Sequence, residues 1–203
     1  MGAGLRDGLP AGRTVHLCID MQALFGAGSP WAVPWMEEIL PVVARLAGVH
    51  ADHTVFTRFL TARSPQAAPG SWRAVYAAWP EVTRDRLDPA RLELMPPLAR
   101  LVPPGRIFDK PTYSPWPDGM LHRLLSQARV TTLVVSGGET DVCVLAAVLG
   151  AIDRGYRVVL ATDGVCSSFD ATHDAMLELY RMRFSHQLET AATDEILDAW
   201  PAG

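Results

Sequence analysis

Three residues of complementary chemistry close or follow three apolar runs of the chain. Asp20 ends TVHLCID, Lys110 ends RIFDK, and Cys143 lies just beyond TTLVVSGG in the stretch SGGETDVC. A thiol, a carboxylate and an ammonium group are the parts of a nucleophilic hydrolase: the sulfur attacks, the carboxylate takes and returns a proton, and the cation tunes both. The glycine pair followed by a polar tripeptide places Cys143 in the first turn of a helix with Thr140 or Asp141 as its N-cap. There, unpaired N–H groups and the positive end of the helix dipole favour a thiolate. With Lys110 beside it, that position predicts a thiol pKa below the free value of about 8.5. Singly, each residue also has a plainer reading: Asp20 as a loop cap, Lys110 as a solvated lysine, Cys143 as a small packed apolar side chain. Their joint placement decides, and that depends on the elements carrying them.

Apolar runs and helical patterns alternate along the chain. Strands are predicted over 14–20, 53–60, 106–110, 131–138 and 156–164, and helices over 35–51, with Pro41 as a kink or restart, and over 117–130, 140–155 and 170–184. Residues 188–200 read as an edge strand or turn followed by a capping helix. Residues 61–105, rich in Pro and Trp, form a stretch too long for a plain connection; they are expected to hold short helices and covering loops, either as a lid or completed by a neighbouring subunit. Apolar strands without polar alternation, separated by helices, indicate a parallel sheet covered on both faces. The fold class is therefore α/β: a doubly wound three-layer sandwich with a mostly parallel central sheet of about six strands. In such sheets, sites form at the carboxyl ends of strands near the reversal of strand order, where Asp20, Lys110 and Cys143 are all expected.

Composition sets the surroundings. The 203 residues, 49% hydrophobic and 20% charged, suit one domain over 1–203, with residues 1–12 expected to be a flexible N-terminus. A net charge of −4 with scattered arginines gives no surface for nucleic acid. No run approaches the ~18 apolar residues of a membrane span, and the polar N-terminus lacks the apolar core of a signal peptide, so a cytoplasmic location without a membrane partner is expected. The 3 cysteines, without CxxC spacing, argue against a disulfide framework or a zinc ribbon.

The stretches CIDMQALF (18–25), FDKPTYSPW (108–116) and VVSGGETDVCV (134–144), in this order, resemble the isochorismatase-like cysteine hydrolases, which include nicotinamidases and N-carbamoylsarcosine amidases. The resemblance covers nearly the whole chain and implies a Rossmann-like strand order. It implies Asp20, Lys110 and Cys143 as a catalytic triad, a cis peptide between Gly138 and Glu139, and an oxyanion hole made of the backbone N–H groups of Glu139 and Cys143. The implied activity is hydrolysis of a C–N bond in a small amide, N-carbamoyl compound or lactam through a thioester. The alternatives are vinyl-ether hydrolysis of the isochorismatase type and a noncatalytic binding protein of the same fold. No cofactor is implied. The family's nicotinamidases carry an Asp-x-His metal element after the second strand; TRFLTARSPQAAPGSW holds no histidine there, so no metal site is expected. The partners expected are a small-molecule substrate and further copies of this chain, as a dimer or tetramer.

Weaker assignments surround the triad. Phe25 resembles a substrate-pocket aromatic, with core packing the equal alternative. Arg58 could receive a substrate carboxylate or sit in a surface ion pair, and Trp116 is expected near the site because it follows Lys110 closely. Trp72, Tyr76 and Trp79 are read as packing or pocket walls, Gln22 as a loop anchor, Cys18 as core and Cys166 as structural. His173 is read as a packing or subunit-contact residue, and the direction of the Glu139 side chain, toward pocket or solvent, is left open.

Overall fold

The computed structural model describes residues 4–201. Among these residues six strands form one all-parallel sheet in the order β3-β2-β1-β4-β5-β6: β1 Thr14–Ile19, β2 Thr54–Phe59, β3 Arg106–Lys110, β4 Thr132–Gly138, β5 Arg157–Cys166 and β6 Leu188–Ala191. This is the predicted doubly wound α/β sandwich. Every residue of β1 and β4 is buried, which is why their sequences run apolar without alternation. The chain builds outward from β1 to β3, then returns to lay β4 on the other side of β1. The strand order therefore reverses between β1 and β4, and their carboxyl ends flank the crevice where such folds bind ligands.

Among the described residues seven α-helices surround the sheet: α1 Met36–Val49, α2 Trp72–Ala78, α3 Pro96–Ala99, α4 Met120–Gln127, α5 Cys143–Asp153, α6 Asp170–Arg183 and α7 Thr193–Ala199. One face packs Val15, Leu17 and Ile19 of β1 against Leu121 and Leu125 of α4, Val144 and Val148 of α5 and Tyr180 of α6. The other packs Cys18 and Phe56 against Met36 and Val43 of α1, Tyr76 of α2 and Leu98 of α3. Pro41 lies inside α1 without ending it. It removes one N–H from the helix, and the buried stripe of Met36, Ile39, Val43, Leu46 and Ala47 holds the rest in place.

The segment before β1 packs on the domain: Leu9 is buried beside Trp200, its N–H donates to Ala199 O, and the Arg157 guanidinium donates to the carbonyls of Asp7 and Gly8. Residues 1–3 of the expected flexible segment lie outside the described residues. Residues 61–105 hold short helices and covering loops, as expected, and pack as a wall of the core. Met95 N–H donates to Met21 O, Ala23 N–H donates to Glu93 O, and Tyr76, Val82 and Leu98 are buried.

Candidate active site

Asp20 follows β1 directly and turns sharply, with φ of 51° in the left-handed region. The turn keeps its carboxylate under the sheet end, fully buried, where Thr57 of β2 grips it twice. The Thr57 hydroxyl donates to Asp20 Oδ1 at 2.6 Å and accepts the Asp20 N–H at 3.1 Å. Gly137 makes the turn possible from the neighbouring strand: its φ is 107°, and a Cβ there would stand 2.1 Å from Ile19 O.

Lys110 reaches the same point from β3, at the far side of β2. Its side chain passes the ring of Phe59, its register partner, with Nζ 5.2 Å from the centroid, and donates to Asp20 Oδ2 at 2.6 Å and to Thr112 O at 3.0 Å. Only 2% of Lys110 is exposed. Burial works against its charge, but the Asp20 carboxylate, followed by Cys143, outweighs it and holds the ammonium pKa above the ordinary lysine range.

Cys143 is the first residue of α5, 6% exposed, on the wall of the cavity described below. Neither expected cap is used. Val142 occupies the N-cap with no side-chain bond, while the Thr140 hydroxyl donates to Cys166 O and Asp141 accepts from the Ser167 hydroxyl. The helix end is therefore open toward the cavity, and among the described residues the N–H groups of Glu139 and Cys143 have no recorded acceptor. The Gly138–Glu139 peptide is cis.

The direction of the thiol shift is a correction. Burial pushes the Cys143 thiol well above its ordinary range; Lys110 pulls it down, and the Asp20 and Glu139 charges push it up again. The sequence suggested the opposite because it shows the cation without its partner. Asp20 sits on Lys110 at hydrogen-bond distance and its own charge opposes the ammonium at sulfur, so the pull of Lys110 does not overcome burial. At rest the sulfur therefore keeps its proton beside the Asp20–Lys110 pair. A proton can pass from sulfur to Asp20 once the thiol meets an electrophile.

Above the sulfur lies a cavity of about 380 Å³ walled by Phe25, Trp31, Phe59, Trp79, Tyr113 and Phe169, with aliphatic lining from Pro30, Ala32, Val75 and Val142. Its polar lining is Cys143, Glu139 and Ser168. Phe25 thus stands where a pocket aromatic was expected, stacked on Trp31 at 6.5 Å. Trp72 and Tyr76 stand one layer back, against Phe59 and Trp31. Gln22 anchors its loop: its amide donates to Leu92 O and Phe59 O and accepts the Phe59 N–H. His173 lies 2.9 Å from the Thr140 hydroxyl, behind the helix start.

Two expected substrate contacts are not part of this cavity. Arg58 is spent on the sheet surface, bidentate to Asp109, its register partner on β3, and bonded to Glu93. Trp116 is core: the turn after Lys110 carries it behind α5, where its Nε1–H donates to Ala147 O and Gly150 leaves room for the ring. Buried Cys18 is core as read; Cys166, its thiol pushed up to about 12 by burial, packs at the end of β5. Sequence reasoning missed Thr57, Trp31, Tyr113, Phe59, Phe169 and Ser168. Tyr113 alone carried a signal, since it lies inside the FDKPTYSPW stretch. Among the described residues, no cluster of three or more His, Cys, Asp or Glu could hold a metal ion, and no helix is long and apolar enough to cross a membrane.

A family model described as an isochorismatase domain matches residues 14–192. The isochorismatase family proteins 1A and 1B of Dictyostelium discoideum are each 33% identical over 81 residues, which is 39% of this chain and 38% of theirs; the match thus spans about two fifths of those relatives. Among solved structures, a cysteine hydrolase from Pseudomonas syringae superposes with a TM-score of 0.80 at 20% identity, over 98% of this chain and 99% of that one. The N-carbamoylsarcosine amidase of Thermoplasma acidophilum gives 0.73 at 16% identity, over 91% and 99%. The nicotinamidase of Staphylococcus aureus gives 0.64 at 20% identity, over 87% and 97%. At these identities the superpositions show a shared fold.

Proposed function

The chain belongs to the isochorismatase family, and on that premise we propose that it is a cysteine-dependent hydrolase of a C–N bond in a small amide, N-carbamoyl compound or lactam. One observation carries the reading: a buried carboxylate–ammonium pair, Lys110 Nζ to Asp20 Oδ2 at 2.6 Å, lies beside a thiol that opens onto a cavity. A buried pair of this kind is a poor stability device, because desolvation of the two charges offsets most of their attraction. Its value at this position is chemical.

In the proposed reaction, Cys143 sulfur attacks the substrate carbonyl while its proton passes to Asp20. The carbonyl oxygen takes up the negative charge against the Glu139 and Cys143 N–H groups at the open start of α5. Asp20 then protonates the leaving nitrogen, the C–N bond breaks, and an acyl thioester remains. Water, losing its proton to Asp20, attacks the thioester; the acid departs and the thiol is restored. Lys110 keeps its charge throughout and holds Asp20 ready to accept in one step and donate in the next. Thr57 fixes the other carboxylate oxygen, which holds the carboxyl group in one orientation. No cofactor takes part. A cytoplasmic location and assembly into a dimer or tetramer belong to the same proposal.

The test is a panel of primary amides, ureido compounds and lactams read by ammonia release and mass change, with quenched reactions searched for acylated Cys143 by peptide mass spectrometry. An acyl adduct on Cys143 that forms and decays with turnover, and is absent from Cys143→Ala, is the expected result. Turnover by a folded Cys143→Ala protein would overturn the assignment.

A further inference from the structure

The cavity over Cys143 carries charge of one sign. Among the described residues no lysine, arginine or histidine lines it, and Glu139 is its one charged wall. Glu139 is fixed in place: its Oε2 accepts the Ser168 N–H at 2.9 Å and stands 3.5 Å from the Ser167 hydroxyl. Behind the sulfur, Asp20 and Lys110 are in contact and cancel. The nucleophile is therefore approached past a single uncompensated carboxylate. The titration of Tyr113 agrees in sign: burial, then Cys143, then Glu139 push its phenol above the ordinary range.

We propose that the Glu139 side chain is a charge filter, so that the site takes uncharged amides or carbamoyl compounds with a flat, apolar body and rejects substrates bearing a carboxylate. The proposal rests on the amide-hydrolase reading and deepens it. A carboxylate entering this cavity would shed its hydration among Phe25, Trp31, Trp79 and Tyr113 with no cation to receive it. It would also meet Glu139 across a short, poorly solvated gap. A flat neutral ring meets neither cost and gains the aromatic faces. Arg58, the residue that could have received an acid, is bound to Asp109 and Glu93 instead.

The filter is tested with two alkylating reagents of nearly equal size, neutral iodoacetamide and anionic iodoacetate. With either, the Cys143 sulfur displaces iodide and forms one S–C bond, so no amide turnover is needed. Rates are followed at Cys143 by peptide mass spectrometry, and the iodoacetamide-to-iodoacetate ratio is divided by the ratio measured for glutathione. The expected normalised preference for the neutral reagent is about tenfold or more, the size of a one-charge repulsion in a partly solvated site. Glu139→Gln, which keeps an oxygen for the Ser168 N–H, should speed both reagents and bring the ratio to within about twofold of glutathione. Should the variant not fold, salt decides on the unaltered protein: about 0.5 M NaCl screens the repulsion and should narrow the ratio. A wild-type ratio equal to that of glutathione, or a ratio moved by neither substitution nor salt, would overturn the filter. Because alkylation reads the charge alone, the filter can stand if no amide is turned over, and amide turnover can stand if the filter fails.

Discussion

Asp20→Asn tests the proton-carrier role proposed for Asp20. The substitution preserves shape and leaves an oxygen for the Thr57 hydroxyl, now 2.6 Å from Oδ1. It removes the charge that faces Lys110 Nζ at 2.6 Å and, with the amide oxygen kept on Thr57, directs an NH2 group at the ammonium. With Lys110 only 2% exposed, breaking the pair leaves a buried charge uncompensated, at a cost of about 3–5 kcal/mol of stability. A clear drop in the melting temperature is expected, and kinetics are to be read well below it. In the reaction, an amide nitrogen leaves only when protonated, so losing the acid should slow amide turnover by about 10²–10⁴-fold. An activated aryl ester, whose leaving group departs without a proton, should lose far less. Alkylation of Cys143 should persist, because the Asp20 charge is one of the influences that push the thiol up. The assay is kcat/KM for a matched amide and ester, with alkylation rates, on the folded variant. Equal losses on ester and amide would refute the assignment of Asp20 as the proton carrier.

Lys110→Met should raise the Cys143 thiol further, since Lys110 is the group pulling it down, and should slow iodoacetamide alkylation at pH 8; an undiminished rate would show that the ammonium does not act on sulfur. Gly137→Ala should cost about 2–4 kcal/mol and displace Asp20, because the new Cβ would stand 2.1 Å from Ile19 O at a φ of 107°; unchanged melting and activity would contradict this contact. His16, buried between Thr54 and Ser136, has its pKa lowered to about 3, chiefly by burial and then by His50. Its folded value lies below the unfolded 6.5, so its contribution to stability is complete above pH 6.5 and is lost as the pH falls from there toward 3. Urea denaturation should show about 1–2 kcal/mol of that loss between pH 6.5 and 5, and His16→Gln should flatten the slope over this interval.

The parts of the molecule legible in the sequence are those set by short-range pattern. β1 and β4 lie in the middle of the sheet, and their unbroken apolar character announces burial on both faces. Asp20, Lys110 and Cys143 could be set on one sheet edge because each lies at or just past a strand end, and in parallel strands those ends share a side. The illegible parts depend on register and turns. Arg58 looks free until β3 is aligned so that Asp109 stands opposite it. Trp116 and Tyr113 both follow Lys110 closely, and only the turn sends Tyr113 into the cavity and Trp116 behind α5. β5 runs on to Cys166, past its expected end, because a register shift between Val135 and Gly137 lets the strand re-pair beyond the irregularity.

The thiol shows a limit of a different kind. Its helix-terminal position was readable, yet the direction of its shift was not, because that direction is a balance among burial, Lys110, Asp20 and Glu139, and such a balance turns on distances. A lysine alone next to sulfur would favour a thiolate; a lysine already in contact with Asp20 brings a nearly neutral pair. The site therefore holds its proton on sulfur at rest and needs the carboxylate as acceptor when a carbonyl arrives. On the proposed mechanism the two buried groups have separate duties: Asp20 moves the proton, and Lys110 holds its carboxyl group in place. With these two in contact, Glu139 is the one charged residue lining the cavity among the described residues. On the proposed reading, a residue unremarkable in the sequence except for its place beside Cys143 filters which substrates reach the sulfur, while Asp20, Lys110 and Cys143 act on them there.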